Sequence, residues 1–201
     1  MIKAIWLILD SGGAWDRIVA AQRGFFWIVF INLLPLLLLG SAAEGYGLVH
    51  WGRPQGELGH LKNFPVSDVV KFESAQLVVF LVVVFIGALL ARNLANTFRS
   101  RPISLLPAFT AIAYGLGPFL LLRVLNIFPV SPWLSWAVGI ALSAMILYQG
   151  VPRVMQPDPP NAFGLYLTST LLLATLTGLL CFISSWYLRG KITSLQNFLP
   201  G

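Results

Sequence analysis

Apolar residues fall along this chain in five long runs, over about residues 25–43, 69–91, 105–123, 133–149 and 163–187, and the stretches between them collect charges, glycines and prolines. Residues 105–122 contain no charge at all, and at ~1.5 Å of rise per residue they make about 27 Å of helix, close to the ~30 Å of a bilayer's hydrocarbon core. The pattern predicts an all-α, polytopic integral membrane protein, a bundle of five transmembrane helices. One membrane domain then covers residues 25–188, behind a short interfacial or cytoplasmic segment, 1–24, and ahead of a tail, 189–201. The second run is the weakest. Residues 77–91 are apolar but give only about 22 Å of helix, so the helix has to borrow from 69–76, leaving Lys71 and Glu73 at one interface while Arg92 snorkels at the other.

The polar stretches are read as connections. Residues 1–9 are apolar but too short to span, and they predict either an amphipathic helix lying at the interface on Trp6 and Lys3 or a frayed terminus. Residues 14–24 read as a polar approach helix, with Asp16 and Arg17 solvated or paired with headgroups. The longest connection, 44–74, is rich in glycine and is expected outside the membrane, with Ser67 and Asp68 capping the next helix. Its His50 and His60 are ten apart and lack ligand spacing, so solvated histidines are expected and no metal.

The third run holds the most information. Tyr114, Gly115, Gly117 and Pro118 lie together in it, and the pairs Ala111/Gly115 and Ala113/Gly117, each four apart, form a smooth stripe on which a neighbouring helix can pack closely. Gly87 with Ala91, Gly139 with Ser143, and Ala174 with Gly178 repeat the device. Pro118 loosens its helix and frees a carbonyl near residue 114, which neighbouring helices or the Tyr114 hydroxyl are expected to satisfy. Asn32, alone in the first run, has to face protein; it reads as an interhelical clamp or a substrate ligand.

Two motifs carry a resemblance. Tyr114-Gly-Leu-Gly-Pro118, followed by Phe119 and three leucines, is similar to the Tyr-x-x-x-Pro signature in the third helix of Yip1-domain membrane proteins. Tyr148-Gln-Gly150-Val-Pro152, continuing through Arg153, resembles the stretch that closes the fourth helix in bacterial-type members. With the segment pattern, the likeness extends over about residues 15–188. It implies five membrane helices and a cytoplasmic N-terminus, and, in eukaryotic relatives, a role in vesicle traffic through Rab-type GTPases and partner membrane proteins. Only some twenty-four residues precede the first run here, where those relatives carry a long cytosolic region, which puts a GTPase partner in doubt.

Composition and charge narrow the function. Hydrophobic residues make up 57% of the chain and charged residues 10%, against roughly 25% charged in soluble domains. Thirteen Lys or Arg against seven Asp or Glu give +6, scattered at segment ends; this favours anionic headgroups and argues against nucleic acid. Arg92, Arg99 and Arg101, joined by Arg153, are candidate headgroup contacts, the alternative being topology determination alone. With the N-terminus inside, seven Lys or Arg fall on the cytoplasmic side and six outside, so orientation in the cell (inner) membrane rests on the resemblance. Arg123, near the end of its run, is expected to snorkel. Cys181 is the single cysteine and has no partner for a disulfide or metal. No run carries Asp, Glu, His or Lys in its middle, and no phosphate loop is present, so neither enzyme chemistry nor a cofactor is expected. The chain therefore reads as a non-enzymatic scaffold, partner-binding or lipid-organising factor, working through helix packing with itself or another membrane protein. The alternative is a small permease or lipid translocator, suggested by Asn32, Pro118 and the hydroxyls of the fifth run.

Overall fold

The structure is a computed structural model and describes residues 2–55, 60–98, 102–129 and 131–189. Arg99 and Arg101 lie outside the described residues, as does the tail beyond Arg189. Five apolar segments are long enough to cross a membrane: Phe25–His50, Val66–Thr97, Leu105–Ile127, Pro132–Met155 and Pro159–Leu188. The chain is a multi-pass membrane protein in contact with lipid. The face holding the N-terminal helices, Phe98, residues 102–104 and the 156–161 connection is side A below; the opposite face is side B.

In chain order the helices are α1 (Ile2–Leu9), α2 (Ser11–Ala20), α3 (Phe25–Ile28), α4 (Leu34–His50), α5 (Val66–Thr97), α6 (Leu105–Gly115), α7 (Gly117–Leu122), α8 (Pro132–Met155) and α9 (Ala162–Leu188). The first span joins α3 to α4 through a π turn, Val29–Leu33, two residues before Pro35, whose missing N–H cannot sustain a regular α ladder there. The third span is broken at Leu116, between α6 and α7, as Pro118 demands, and finishes in a 3-10 turn, Arg123–Ile127. It is the centre of the bundle. Of its apolar window 67% is buried, against 22% to 39% in the other four spans. Helix α6 packs on α5 and α8, α7 on α8, and the 3-10 turn on α4, while α9 closes the bundle against α5 and α8.

Three readings of the connections are corrected. The first span does not end near residue 43: the helix continues to His50, because Gly40, Glu44 and Gly47 all lie on the face that meets the end of the third span. What remains of the long connection is a hairpin, with β1 (Arg53–Gln55) antiparallel to β2 (His60–Lys62). The next helix starts at Val66 with Pro65 in the cap position, so Ser67 is inside it and Asp68 lies in its first turn, where a negative charge faces the positive end of the helix dipole. Residues 2–9 are neither interfacial nor frayed. Ala4 and Leu7 are buried, and a side chain on Gly117 would meet Ala4 Cβ at 3.1 Å, so α1 reaches about 18 Å below the start of the third span, counting twelve residues from Leu105. Its exposed face, Ile5, Trp6, Ile8 and Leu9, is apolar as well, which suits a helix standing in lipid.

Candidate functional site

The motif residues assemble the chain's own bundle. Tyr114 is 1% exposed and meets Trp15 edge to face, ring centroids 6.3 Å apart. A Cβ on Gly115 would stand 2.6 Å from Leu147 Cδ2, and one on Gly139 would stand 2.9 Å from Phe119 Cα. Gly150 lies under the Trp15 indole with no room for a Cβ, and Trp15, fully buried, donates from Nε1 to the Ile146 carbonyl at 3.0 Å. Helix α2 is therefore docked, with Asp16 bonded to Arg153 at 3.0 Å and Arg17 to Asp10 at 3.4 Å. Gly87 faces Leu176, and Gly178 faces Trp136. The small-residue stripes expected to receive a partner thus receive this chain's own residues: Leu147, Phe119, Leu176 and Trp136 at Gly115, Gly139, Gly87 and Gly178, and Ala4 at Gly117. Tyr148 is exposed and packs edge to face on Tyr166, and Pro152 sits inside α8 on its outer face.

Beside this packing, on side A, opens a cleft of about 360 Å³ between α2, the start of the first span, α6 and the end of α8. Arg23 and Arg153 stand at it, with Ser104, Thr110 and Tyr114 on its walls. Arg153 Nε donates to Asp16, its Nη1 donates to the Gln149 carbonyl at 3.0 Å, and the Arg23 guanidinium lies 3.4 Å over the Trp27 ring, so both cations are held in place. Gln22 and Gln156 line the same cleft. Among the described residues they are the two non-glycines with left-handed backbone, φ 39° and 46°, each just beyond a helix end where glycine is the usual choice. A side chain in that conformation costs roughly 1 to 3 kcal/mol, and here both strained positions present an amide to one cleft. Of the other headgroup candidates, Arg92 is on α5 and does not line it.

The second constellation is at side B. Arg123, expected to snorkel, is 4% exposed: its Nη2 donates to Glu44 Oε2 at 2.6 Å and lies 3.8 Å from Glu73 Oε2, and its guanidinium stacks 4.6 Å over Phe80. Glu44 and Glu73, expected in an exposed connection and at an interface, are 4% and 8% exposed. The reason is steric. Gly40 and Gly47 leave gaps on α4 into which the Arg123–Ile127 turn presses, Gly40 against Arg123 Cβ at 3.3 Å and Gly47 against the Asn126 carbonyl, and Glu44 lies between them. The guanidinium is trapped before it can turn outward. All three charges lie within the side B third of their spans, next to the apolar runs, and are enclosed by helices. Asn32 is 2% exposed and its Nδ2 has no hydrogen-bond partner, so the interhelical bond expected of it is not made through that group.

A family model of the Yip1 domain matches residues 6–188, from within α1 to the last residue of α9. The chain belongs to the Yip1-domain family. No curated protein and no solved structure matches it. The residues matched to the Yip1 domain include the second half of α1 and all of α2, in keeping with the burial of Leu7 and Trp15. Sequence reasoning missed the buried ion cluster of this Yip1 chain, although a signal was there: Gly40, Glu44 and Gly47 recur at four and three residues, one helical face, once the helix is allowed past residue 43. It also missed Gln22, Gln156 and Arg23, since glutamine gives no hint of left-handed backbone.

Proposed function

We propose that this Yip1-domain protein is a non-enzymatic, lipid-organising membrane protein that seats an anionic lipid headgroup in the side A cleft. Of the partner-binding and lipid-organising readings, the former depended on open small-residue stripes, and Gly87, Gly115, Gly117, Gly139, Gly150 and Gly178 are all occupied from within the chain. The observation that carries the lipid reading is the convergence of Arg23, Arg153, Gln22 and Gln156 on one cleft whose inner wall is apolar, with Ile18, Ile28 and Leu106. Guanidinium and amide donors suit phosphate oxygens, and the apolar wall suits the first carbons of an acyl chain. The hydroxyls of the fifth span do not favour a permeation path: Thr168 and Thr177 donate to carbonyls of their own helix at 2.9 and 2.7 Å. In this reading side A, which carries α2, faces the cytoplasm of the cell membrane.

Native mass spectrometry of the purified full chain with phosphatidylglycerol or phosphatidylcholine tests the site. The expected result is preferential retention of phosphatidylglycerol, lost in Arg23→Gln/Arg153→Gln while bundle stability stays within about 1 kcal/mol, as for exposed charges. Equal retention of both lipids, or retention unaffected by the double substitution, overturns it. Reporter fusions after Arg17 and after Arg189 test orientation.

A further inference from the structure

Side B carries a cleft of its own, about 310 Å³, between the β1–β2 hairpin, the turn into α8 and the end of α9. Arg53 of β1 and Arg189, just beyond α9, both line it, with Ser131 and Trp133 from the start of α8. Each arginine is placed by its own element. Gly52, with left-handed backbone at φ 68°, lets the chain turn into β1 against the Lys62 carbonyl, where no Cβ would fit, and Phe64 N donates to the Leu48 carbonyl at 3.4 Å, so the hairpin is tied back on the end of α4. Arg189 caps α9, its N–H donating to the Ser185 carbonyl at 3.1 Å. Trp133 meets Trp136 edge to face with ring centroids 5.9 Å apart, and Tyr187 is exposed one residue before Leu188; such aromatic residues mark the headgroup level of a membrane.

The charges here do not balance. In the antiparallel register Arg53 stands directly opposite Lys62, so two cations project from the same face of the hairpin, and like charges paired in this way repel. Arg189 brings a third cation to the cleft, and among the described residues no carboxylate lines it. A bound anion removes the repulsion. Ser131 and Trp133 lie at the N-cap and in the first turn of α8, so the positive end of a 24-residue helix points the same way. A guanidinium has five N–H donors, so an arginine already engaged by a protein neighbour still has donors for phosphate oxygens. The rest of the wall, Leu61, Pro132 and Leu188, is apolar, which suits the glycerol and first acyl carbons of a lipid better than a free ion. We propose that this cleft seats the phosphodiester of an anionic lipid of the side B leaflet, held by Arg53 and Arg189, with Lys62 adding its charge from across the hairpin. One chain then fixes an anionic lipid in each leaflet. The two sites share no residue and lie at opposite ends of the spans.

The test titrates the purified full chain with phosphatidylglycerol or phosphatidylcholine and counts retained lipid by native mass spectrometry. The wild type should retain two molecules of phosphatidylglycerol in preference to phosphatidylcholine. Arg53→Gln/Arg189→Gln should weaken one of them about thirtyfold, at roughly fivefold per arginine near a charged headgroup, and leave the other in place. Arg189→Gln alone, at an exposed helix end, should weaken it about fivefold with thermal unfolding in phosphatidylcholine unchanged, which separates lipid loss from misfolding. Lys62→Gln should weaken retention to a similar degree and yet unfold in phosphatidylcholine at or above the wild-type temperature, because the repulsion with Arg53 is relieved. If the side A cleft holds no lipid, the wild type retains a single phosphatidylglycerol that is lost in Arg53→Gln/Arg189→Gln and indifferent to Arg23→Gln/Arg153→Gln, so the two sites fail separately. Retention in Arg53→Gln/Arg189→Gln that equals the wild type overturns the proposal, as does equal retention of the two lipids. Glycerol 3-phosphate that binds as tightly as the lipid and displaces it also overturns it, since the site then takes a free phosphate.

Discussion

The docking of the N-terminal helices gives the sharpest test of the packing, through Gly150→Ala. The added Cβ falls on the Trp15 indole, a rigid, fully buried ring that donates to the Ile146 carbonyl at 3.0 Å and meets Tyr114 on its other side, so it cannot yield by a rotamer change. Overpacking of this kind costs roughly 1 to 3 kcal/mol, and loss of the indole hydrogen bond adds about 1 kcal/mol. Better helix propensity of alanine returns up to about 1 kcal/mol. The net expectation is a loss of about 2 kcal/mol, or roughly 4 to 8 °C in Tm for a chain of this size. Two readouts separate local from global effects: thermal unfolding followed by tryptophan fluorescence, and limited proteolysis with fragments mapped to residues 10–24. Cleavage should become faster there while the five spans stay protected. If Gly150→Ala matches the wild type in both Tm and protease resistance, Trp15 does not occupy that slot and the account of the N-terminal helices is wrong.

The other substitutions probe separate parts of the same architecture. Gly117→Leu should push α1 out of its seat against Ala4 at a cost of roughly 1 to 3 kcal/mol, seen as faster proteolysis within residues 2–10 and lower Tm. Arg123→Leu leaves Glu44 and Glu73 buried without their cation and should cost roughly 3 to 5 kcal/mol, measured as loss of folded protein in detergent. Asn32→Leu goes the other way: with Nδ2 buried and unpartnered, the amide's removal should be neutral or stabilising by about 1 to 2 kcal/mol in thermal unfolding.

The five spans were legible because each is announced by its own apolar run, the second only after its short run, 77–91, borrows from residues 69–76. Pro118 and the glycines of the third run likewise declared a broken, closely packed central helix. What those glycines would pack against was not legible, since it depends on segments distant in sequence: Gly117 meets Ala4, and Gly150 meets Trp15. The apolar run of residues 1–9 looked too short to span and was expected at the interface or frayed, and only the complementary gap in α7 shows why residues 2–9 enter the bundle. Glu44 appeared to end the first span because a carboxylate does not belong in hydrocarbon. It belongs in this helix because Arg123 arrives from the third span between Gly40 and Gly47, a contact across 79 residues. The cleft was half legible: Arg153 stood out as a headgroup contact, whereas Gln22 and Gln156 matter through backbone conformation that their side chains do not betray.

The central claim, an anionic lipid headgroup seated between Arg23 and Arg153, is tested most directly by photocrosslinking. A phosphatidylglycerol analogue with a photoreactive group near its phosphate would be incorporated into vesicles with the full chain, and the labelled residues mapped by peptide mass spectrometry. The account predicts labelling concentrated on Gln22, Ser104 and Gln156, competed by unlabelled phosphatidylglycerol and lost in Arg23→Gln/Arg153→Gln. Label spread over the lipid-facing flanks, at residues such as Phe26, Met145 and Leu171, and unchanged by the double substitution, would contradict it.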